Sequence, residues 1–430
     1  MRKWVPLTAV CLGSFLFLLD TTVLSVALPR IGADLHAPLD SLQWVANVYT
    51  LVLAVLMLTM GSLADRWTAR TVYLGGLGIF GVASFACALA PAIEALVAAR
   101  AVQGVGGTAL AVTSFALLGA VYRGPDLGRA MGVFGAVTGL AAAIGPLLGG
   151  VLTEYLGWRA IFLVNVPLTA LALAVGRAAL PRTAGGGARH GVDIGGVVTF
   201  GVSAGSLTYG LTAGNAGWLV LAAGALGMFV RVELRSAAPL VDVRLFTGLR
   251  FTAVMVYVVA STGAFGALVW VSVWVQSGLG YSPVRAGLAL LPLAGAAFVT
   301  SLVTGRRLHG RSVVGVGLLL TGVGAGLSIL WLDGGLAITG VGIGVLGPGL
   351  GAAVFAALPP ERTGLAAGLM TTFRQLGQTL GVVLFGLLFR SGGLEPVLIA
   401  AAAVGFVGAG FYGGAHVRVH RVDEGQAGSP

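Results

Sequence analysis

The sequence predicts an all-α polytopic membrane protein, and three observations carry that expectation. Of its 430 residues, 57% are hydrophobic and 9% charged, where a soluble domain carries about 25% charged residues. The apolar residues fall in long runs separated by short charged or Gly/Pro-rich breaks, the pattern of repeated bilayer crossings. The 25 basic residues, 24 of them Arg, concentrate in alternate breaks, as the positive-inside rule requires of a multi-pass chain.

The first run, 7–29, holds 23 residues and a single charge, Asp20. As a helix it is about 34 Å long, enough to cross a hydrocarbon core of about 30 Å. The start, Met1-Arg2-Lys3-Trp4, resembles a signal peptide, but the run is too long and carries an acid, so it reads as an uncleaved first span. Further runs follow at 42–63, 72–91, 93–121, 129–153, 160–180, 194–213, 217–232, 252–276, 284–305, 312–331, 335–358, 364–389 and 395–415. Fourteen crossings are therefore expected. The middle pair rests on one argument, and twelve crossings are the weaker alternative. Residues 194–230 carry no charge and are too long for one crossing, and Gly214-Asn215-Ala216-Gly217 is a turn signal halfway.

With the N-terminus inside, 19 basic residues fall on the cytoplasmic side and 4 outside, with Arg100 and Arg374 inside spans. Both termini are thus expected in the cytoplasm. The order suggests six spans (1–180), two linking spans with their flanking loops (181–250), and six more with a short tail (251–430). Such weak internal symmetry marks transporters whose two bundles rock about a midplane site. No break is long enough for a soluble domain. The basic residues form no stripe, so the net charge of +10 is no nucleic-acid footprint. Cys11 and Cys87 both lie in apolar spans, against a disulfide framework or a metal site. No phosphate-binding loop, metal-ligand spacing or catalytic cluster appears, so no cofactor is expected and the chain does not read as an enzyme.

Asp20 lies near mid-membrane, where a carboxylate costs about 3 kcal/mol by insertion scales. It reads as a proton or cation site, or more plainly as a polar residue bonded to a neighbouring helix. Arg100 lies about 10 Å below the outer end of the fourth span and Asp20 about 13 Å below that of the first, so they share a depth. Gln103 is on the Arg100 face at i+3. An interaction of Asp20 with Arg100, direct or through water, is expected; two separately satisfied residues are the alternative. Asp20 is the only carboxylate near the middle of a span. One carboxylate balances one positive charge, so neutral or monocationic lipophilic substrates are expected, and rigid dications disfavoured. Glu94 and Glu154, at outer helix ends, are expected to be solvated.

Several segments resemble a known family. Gly61-Ser62-Leu63-Ala64-Asp65-Arg66-Trp67-Thr68-Ala69-Arg70 resembles the G-x-L-A-D-R-x-x-x-R/K loop of the major facilitator superfamily, with Thr68 where a glycine is usual. The resemblance implies a conformational latch built from Gly61, Asp65, Arg66 and Arg70. The matching loop of the second half, 305–311, is basic but lacks the acid. Arg100 to Gly107 is similar to the superfamily's R-x-x-Q-G-x-G segment. Gly132, Gly145, Pro146, Gly149 and Gly150 resemble the proton-driven exporters' G-x8-G-x3-G-P-x2-G-G, with Ala141 at the second glycine. This implies a pliable, closely packed gate.

The stretch Trp158 to Pro167 is similar to the W-R-x-x-F-x-I/V-N-x-P of the fourteen-span drug:proton antiporter family. Leu18 to Pro29, Trp44 to Tyr49, and Arg374-Gln375-Leu376-Gly377 also resemble that family. The resemblance spans the chain and is strongest in the first six spans. It implies a major facilitator fold and a monomeric proton-coupled antiporter in a bacterial cytoplasmic membrane. Its partners would be protons, membrane lipids and an exported drug, antibiotic or metabolite. Trp44, Asn47, Tyr49, Asn165, Arg374, Gln375 and Gln378 are expected to line the cavity. A dedicated exporter or importer of one metabolite is the alternative within transport; a membrane sensor or enzyme is a more distant one.

Overall fold

The computed structural model describes residues 2–123, 125–181, 193–236, 239–307, 312–356 and 363–427. Among them the regular structure is helical, with no strand. The first part of the chain forms α1 (Val5–Leu35), α2 (Leu39–Arg66), α3 (Ala69–Ala88), α4 (Ile93–Val121), α5 (Pro125–Tyr155), α6 (Ala160–Leu163) and α7 (Asn165–Ala179). A hairpin follows, α8 (Ile194–Ala213) and α9 (Ala216–Arg235). The last part forms α10 (Leu249–Gly263), α11 (Gly266–Ser277), α12 (Pro283–Arg307), α13 (Ser312–Leu327), α14 (Leu332–Ala356), α15 (Thr363–Gly392) and α16 (Leu394–Ala427).

Eleven stretches among the described residues are long and apolar enough to cross a membrane, and three shorter apolar helices lie at Val313–Leu327, Leu332–Leu346 and Leu394–Gly410. Eleven of the fourteen expected runs thus meet the length and composition of a crossing among the described residues, and the three shorter helices fall on the other three runs.

Two of the expected single spans are broken. The 160–180 run divides at Val164 into α6 and α7. Pro167 lacks the N–H that the carbonyl of Leu163 would accept from, so the ladder fails there. The 252–276 run divides after Gly263. There Gly263 and Gly266 lie against Gly377 and Gly381 of α15, and a Cβ at either would meet backbone. At the 214–217 turn the chain reverses as the residues suggest. Gly214 adopts φ 62°, and the Asn215 side chain accepts from the Gly217 N–H at 2.9 Å to start α9. Thr68, where a glycine is usual, caps α3 by accepting from the Thr71 N–H at 3.0 Å.

Helices α1 to α5 and α7 pack on one another around Leu16, Tyr73, Leu77, Phe80 and Leu110, and α6 joins α1 in another cluster around Leu19, Trp158 and Phe162. Helices α11, α12, α15 and α16 share a second core around Trp270, Leu290, Val382 and Val397. The two groups meet along α5–α12, α2–α15 and α1–α11, and α8 lies against both α2 and α15.

These seams close at one end of the molecule. Call the end where α1 begins proximal and the other distal. At the distal end Arg390 of α15 forms an ion pair with Asp40 of α2, and its guanidinium also reaches Gln43 Oε1 at 3.4 Å and the Thr212 carbonyl of α8 at 3.5 Å. Gln276 Nε2 donates to the Val26 carbonyl at 2.9 Å. Glu154, exposed as expected, also accepts from the Val284 N–H at 2.9 Å. Toward the proximal end of α5, by contrast, a Cβ at Gly132 or Gly135 would meet nothing within 4 Å among the described residues.

Candidate functional site

The centre of the first helical group holds a buried polar cluster built from five helices, α1, α2, α3, α4 and α7. Asp20 projects from the middle of α1 and is 4% exposed. Its Oδ2 accepts from Arg100 Nη1 of α4 at 2.5 Å. Its Oδ1 accepts from Gln103 Nε2 and from Asn165 Nδ2, each at 2.9 Å. Three donors on one carboxylate satisfy the charged form without water.

Each partner is itself fixed. Arg100 donates through Nε to the Val45 carbonyl of α2 at 3.2 Å and through Nη1 to Gln103 Oε1 at 2.7 Å. Its guanidinium lies 4.2 Å from the Tyr49 ring centroid, a cation–π contact. Gln103 Nε2 also donates to Ser84 Oγ of α3 at 2.8 Å. Asn165 is the first residue of α7, directly after the break that Pro167 causes, and the break brings its amide to Asp20. The Trp158–Arg159 pair before it anchors the same corner. Trp158 Nε1 and Arg159 Nη1 donate to Asp34 Oδ2 at 2.8 and 2.7 Å.

Beside the cluster lies a small, partly open cleft; its empty space of about 380 Å³ includes open solvent. Arg100, Asn47, Tyr49 and Gln378 are on its wall, with Thr21, Ser25 and Thr50. Leu24, Leu28, Ala46, Val269 and Val382 supply an apolar lining. Both groups of helices contribute to it. Thr50 of α2 and Thr379 of α15 hydrogen-bond beside it at 2.7 Å. The arrangement is a mixed apolar and polar cleft at the interface of the two groups of helices. Among the described residues no group of three or more His, Cys, Asp or Glu is placed to hold a metal.

The family model described as Major Facilitator Superfamily matches residues 10–333. The chain belongs to the Major Facilitator Superfamily. It is 33% identical over 411 residues to the tetracenomycin C resistance and export protein of Streptomyces glaucescens, covering 91% of this chain and 76% of that one. It is 33% identical over 419 residues to the multidrug resistance protein Stp of Mycobacterium tuberculosis, covering 92% and 78%. The crystal structure of the human organic anion transporter MFSD10 has the same fold. Its TM-score is 0.68 at 18% identity, covering 95% of this chain and 99% of that one. As a member of this superfamily the protein is a multi-pass membrane transporter of small molecules and not an enzyme.

Other residues that resemble superfamily motifs occupy distinct places. On α5, Gly145 lies against Thr22 of α1 and Gly149 against the Val23 backbone, while Gly150 meets Pro283 of α12 and the Pro146 carbonyl faces Gly287. Helix α5 is thus wedged between α1 and α12 over its distal half. Gly132 differs from the expectation of a close approach: it is exposed, and a Cβ there would meet nothing within 4 Å among the described residues. In the α2–α3 loop, Arg70 Nη2 donates to the Arg177 carbonyl of α7 at 2.9 Å and Arg66 is exposed. A Cβ at Gly61 would meet Val112 Cγ1 at 3.8 Å and nothing closer among the described residues. The side chain of Asp65 and residues 308–311 lie outside the described ones.

Of the expected cavity residues, Trp44 packs against Tyr209 of α8 at 6.1 Å between centroids and not on the cavity wall. Its place on α2 is one step off the Gln43–Asn47 face. Gln375 is buried, its carbonyl accepting from Thr379. Arg374 is exposed on α15. Sequence reasoning missed Ser84, which orients Gln103, and the distal set of Asp40, Gln43 and Arg390. A lone serine in an apolar span carries no signal. The distal charges looked like loop charges, since nothing local says they face one another.

Proposed function

We propose that the protein is a proton-coupled exporter of small lipophilic compounds, working by alternating access in a bacterial cytoplasmic membrane. Export is supported by the relatives, whose names describe resistance to and export of tetracenomycin C and multidrug resistance. The eleven apolar stretches and three shorter apolar helices are read as fourteen crossings. On that reading 1–180 and 251–430 are the rocking bundles, 181–250 the linking pair, and both termini are cytoplasmic, in keeping with the arginine count. The distal end is then external, and the conformer described is closed outside.

The observation that carries proton coupling is the cluster at Asp20. A single carboxylate tethers α1 to α4 and α7 through Arg100, Gln103 and Asn165. Protonation removes the charge on which these donors converge and frees α1 to shift. That helix lines the cavity through Thr21, Leu24, Ser25 and Leu28, and its other flank contacts α5 at Gly145 and Gly149. A proton at Asp20 thereby acts on the cavity and on the inter-bundle seam. Gly61, Asp65, Arg66 and Arg70 serve as the cytoplasmic latch, and Gly132, Gly145, Pro146, Gly149 and Gly150 as the gate. The decisive experiment is substrate-driven proton release in inverted vesicles, with Asp20→Asn beside the wild type. Full coupling in the Asn variant rejects the assignment.

A further inference from the structure

We propose that the charged substrates of this transporter are amphiphilic anions, with Arg374 as the residue that holds their carboxylate, phenolate or enolate. The proposal rests on the exporter reading above and names the substrate class of that same cavity. It reverses the expectation of monocations, which assumed that Asp20 faces the ligand.

The first observation is the occupancy of Asp20. Both its oxygens are engaged, by Arg100 on one and by Gln103 and Asn165 on the other, at 4% exposure. Asp20 is not on the cavity wall; Arg100 is. The pair is neutral as a unit, so a cation in the cavity meets the guanidinium side of it. Among the described residues no other carboxylate lies near the middle of a crossing.

The second is the position of Arg374. On α15, Gly377 and Gly381 face α10 at Val259 and Gly263, while Thr379 and Gly386 face α2 at Thr50 and Gln43. Helical geometry places Gln378, Val382 and Arg374 on the arc between those two contacts. Gln378 and Val382 line the cavity. Arg374 is one turn proximal to Gln378 on the same face, about 6 Å away between Cβ atoms. It is exposed, and among the described residues it has no ion pair or hydrogen bond. A guanidinium without a counter-ion at membrane depth is costly unless hydrated or paired with a ligand.

The third is Asn47, 1% exposed and on the cavity wall, whose Nδ2 and Oδ1 both lack a hydrogen-bond partner. Buried amides are nearly always satisfied, so this one is placed for a ligand's carbonyl or hydroxyl. Around these polar points the lining is Leu24, Leu28, Val269 and Val382. A weak organic acid with an apolar body matches all three features.

The test uses two dyes with one xanthene core and opposite single charges, fluorescein methyl ester and tetramethylrhodamine methyl ester. Their binding to the purified full-length protein in detergent is read by fluorescence anisotropy. The wild type should bind the anion more tightly. Arg374→Gln should shift the anion-to-cation affinity ratio at least about tenfold toward the cation, equivalent to about 1.4 kcal/mol. Arg374→Lys should keep the anion preference, which separates lost charge from misfolding. Tighter cation binding by the wild type, failure to bind either dye, or a ratio changed less than twofold in the Gln variant overturns the proposal. The binding arm needs no proton gradient. Uptake of the anionic dye into inverted vesicles that is indifferent to the gradient and to Asp20→Asn therefore rejects proton coupling while leaving the substrate class standing.

Discussion

Asp20 of α1 and Arg100 of α4 face each other at 2.5 Å, 2% and 1% exposed at their side chains, and form a buried ion pair at the heart of the first helical group. Removing one partner of such a pair strands the other and costs about 3–5 kcal/mol. Asp20→Asn is a special case. An amide at this position can accept from Arg100 only by turning its own N–H groups toward the amides of Gln103 and Asn165. Asp20→Asn should therefore lower thermal stability in detergent as well as abolish proton-coupled export. Asp20→Leu combined with Arg100→Leu should melt higher than either single variant while remaining inactive. A double variant no more stable than the singles would show that the pair is not an independent unit.

The α5 glycines make a sharper comparison, because they share a motif but not an environment. A Cβ at Gly149 would sit 2.6 Å from the Val23 carbonyl oxygen and 3.1 Å from its Cα, backbone that cannot rotate away. One at Gly132 would meet nothing within 4 Å. Gly149→Ala should destabilise the fold by about 1–3 kcal/mol, the usual cost of overpacking. Gly132→Ala should leave the melting temperature nearly unchanged. If Gly132 is part of the gate, its variant should instead slow turnover, since the seam must close over it in the other conformer. Thermal melts and vesicle uptake on the same preparations separate the two effects. Equal loss of stability in both variants would show that the open proximal seam is not the resting state.

Depth was legible in the sequence and direction was not. Asp20 and Arg100 are matched because each lies a countable number of residues from a helix end, and rise per residue converts that count to a height. Rotation about each helix axis has no such ruler in a chain hydrophobic on all sides. Trp44, read as cavity-lining, turns instead to Tyr209 of α8. Asn165, also read as lining, donates to Asp20 because Pro167 breaks the helix just before it. The Asp40–Arg390 pair joins residues 350 positions apart, and pairing of that kind appears only once the bundles are assembled.

That distal pair gives a prediction about conformer balance. Ion pairs exposed as Asp40 and Arg390 are contribute little to stability, about 0–1 kcal/mol. Between two conformers of similar energy the same amount still shifts populations several-fold. Arg390→Ala also removes contacts to Gln43 and to the Thr212 carbonyl of α8, so the linking hairpin loses its hold on the seam. Spin labels at Ser41 and Ser391, on the distal ends of α2 and α15, should report a larger long-distance population in Arg390→Ala than in the wild type. An unchanged distance distribution would remove this contact from the gate.

The proximal end should behave in the opposite sense. Arg66 is exposed at the end of α2, while Arg70 holds the end of α7 through the Arg177 carbonyl. Neither residue is near the cavity wall, so neither has a route to ligand affinity except through conformer populations. If Arg66 and Asp65 latch the proximal end when it closes, Arg66→Ala disfavours the closed form. The change should reduce the maximal export rate several-fold and leave equilibrium ligand binding to the proximally open form within about twofold. Arg70→Ala should do more, because it also frees the carbonyl end of α7, whose other end supplies Asn165 to Asp20. The measurement pairs initial rates in inverted vesicles with dye binding in detergent for both variants. A large loss of affinity at an unchanged maximal rate would mean that these arginines act on the substrate path and not as a latch.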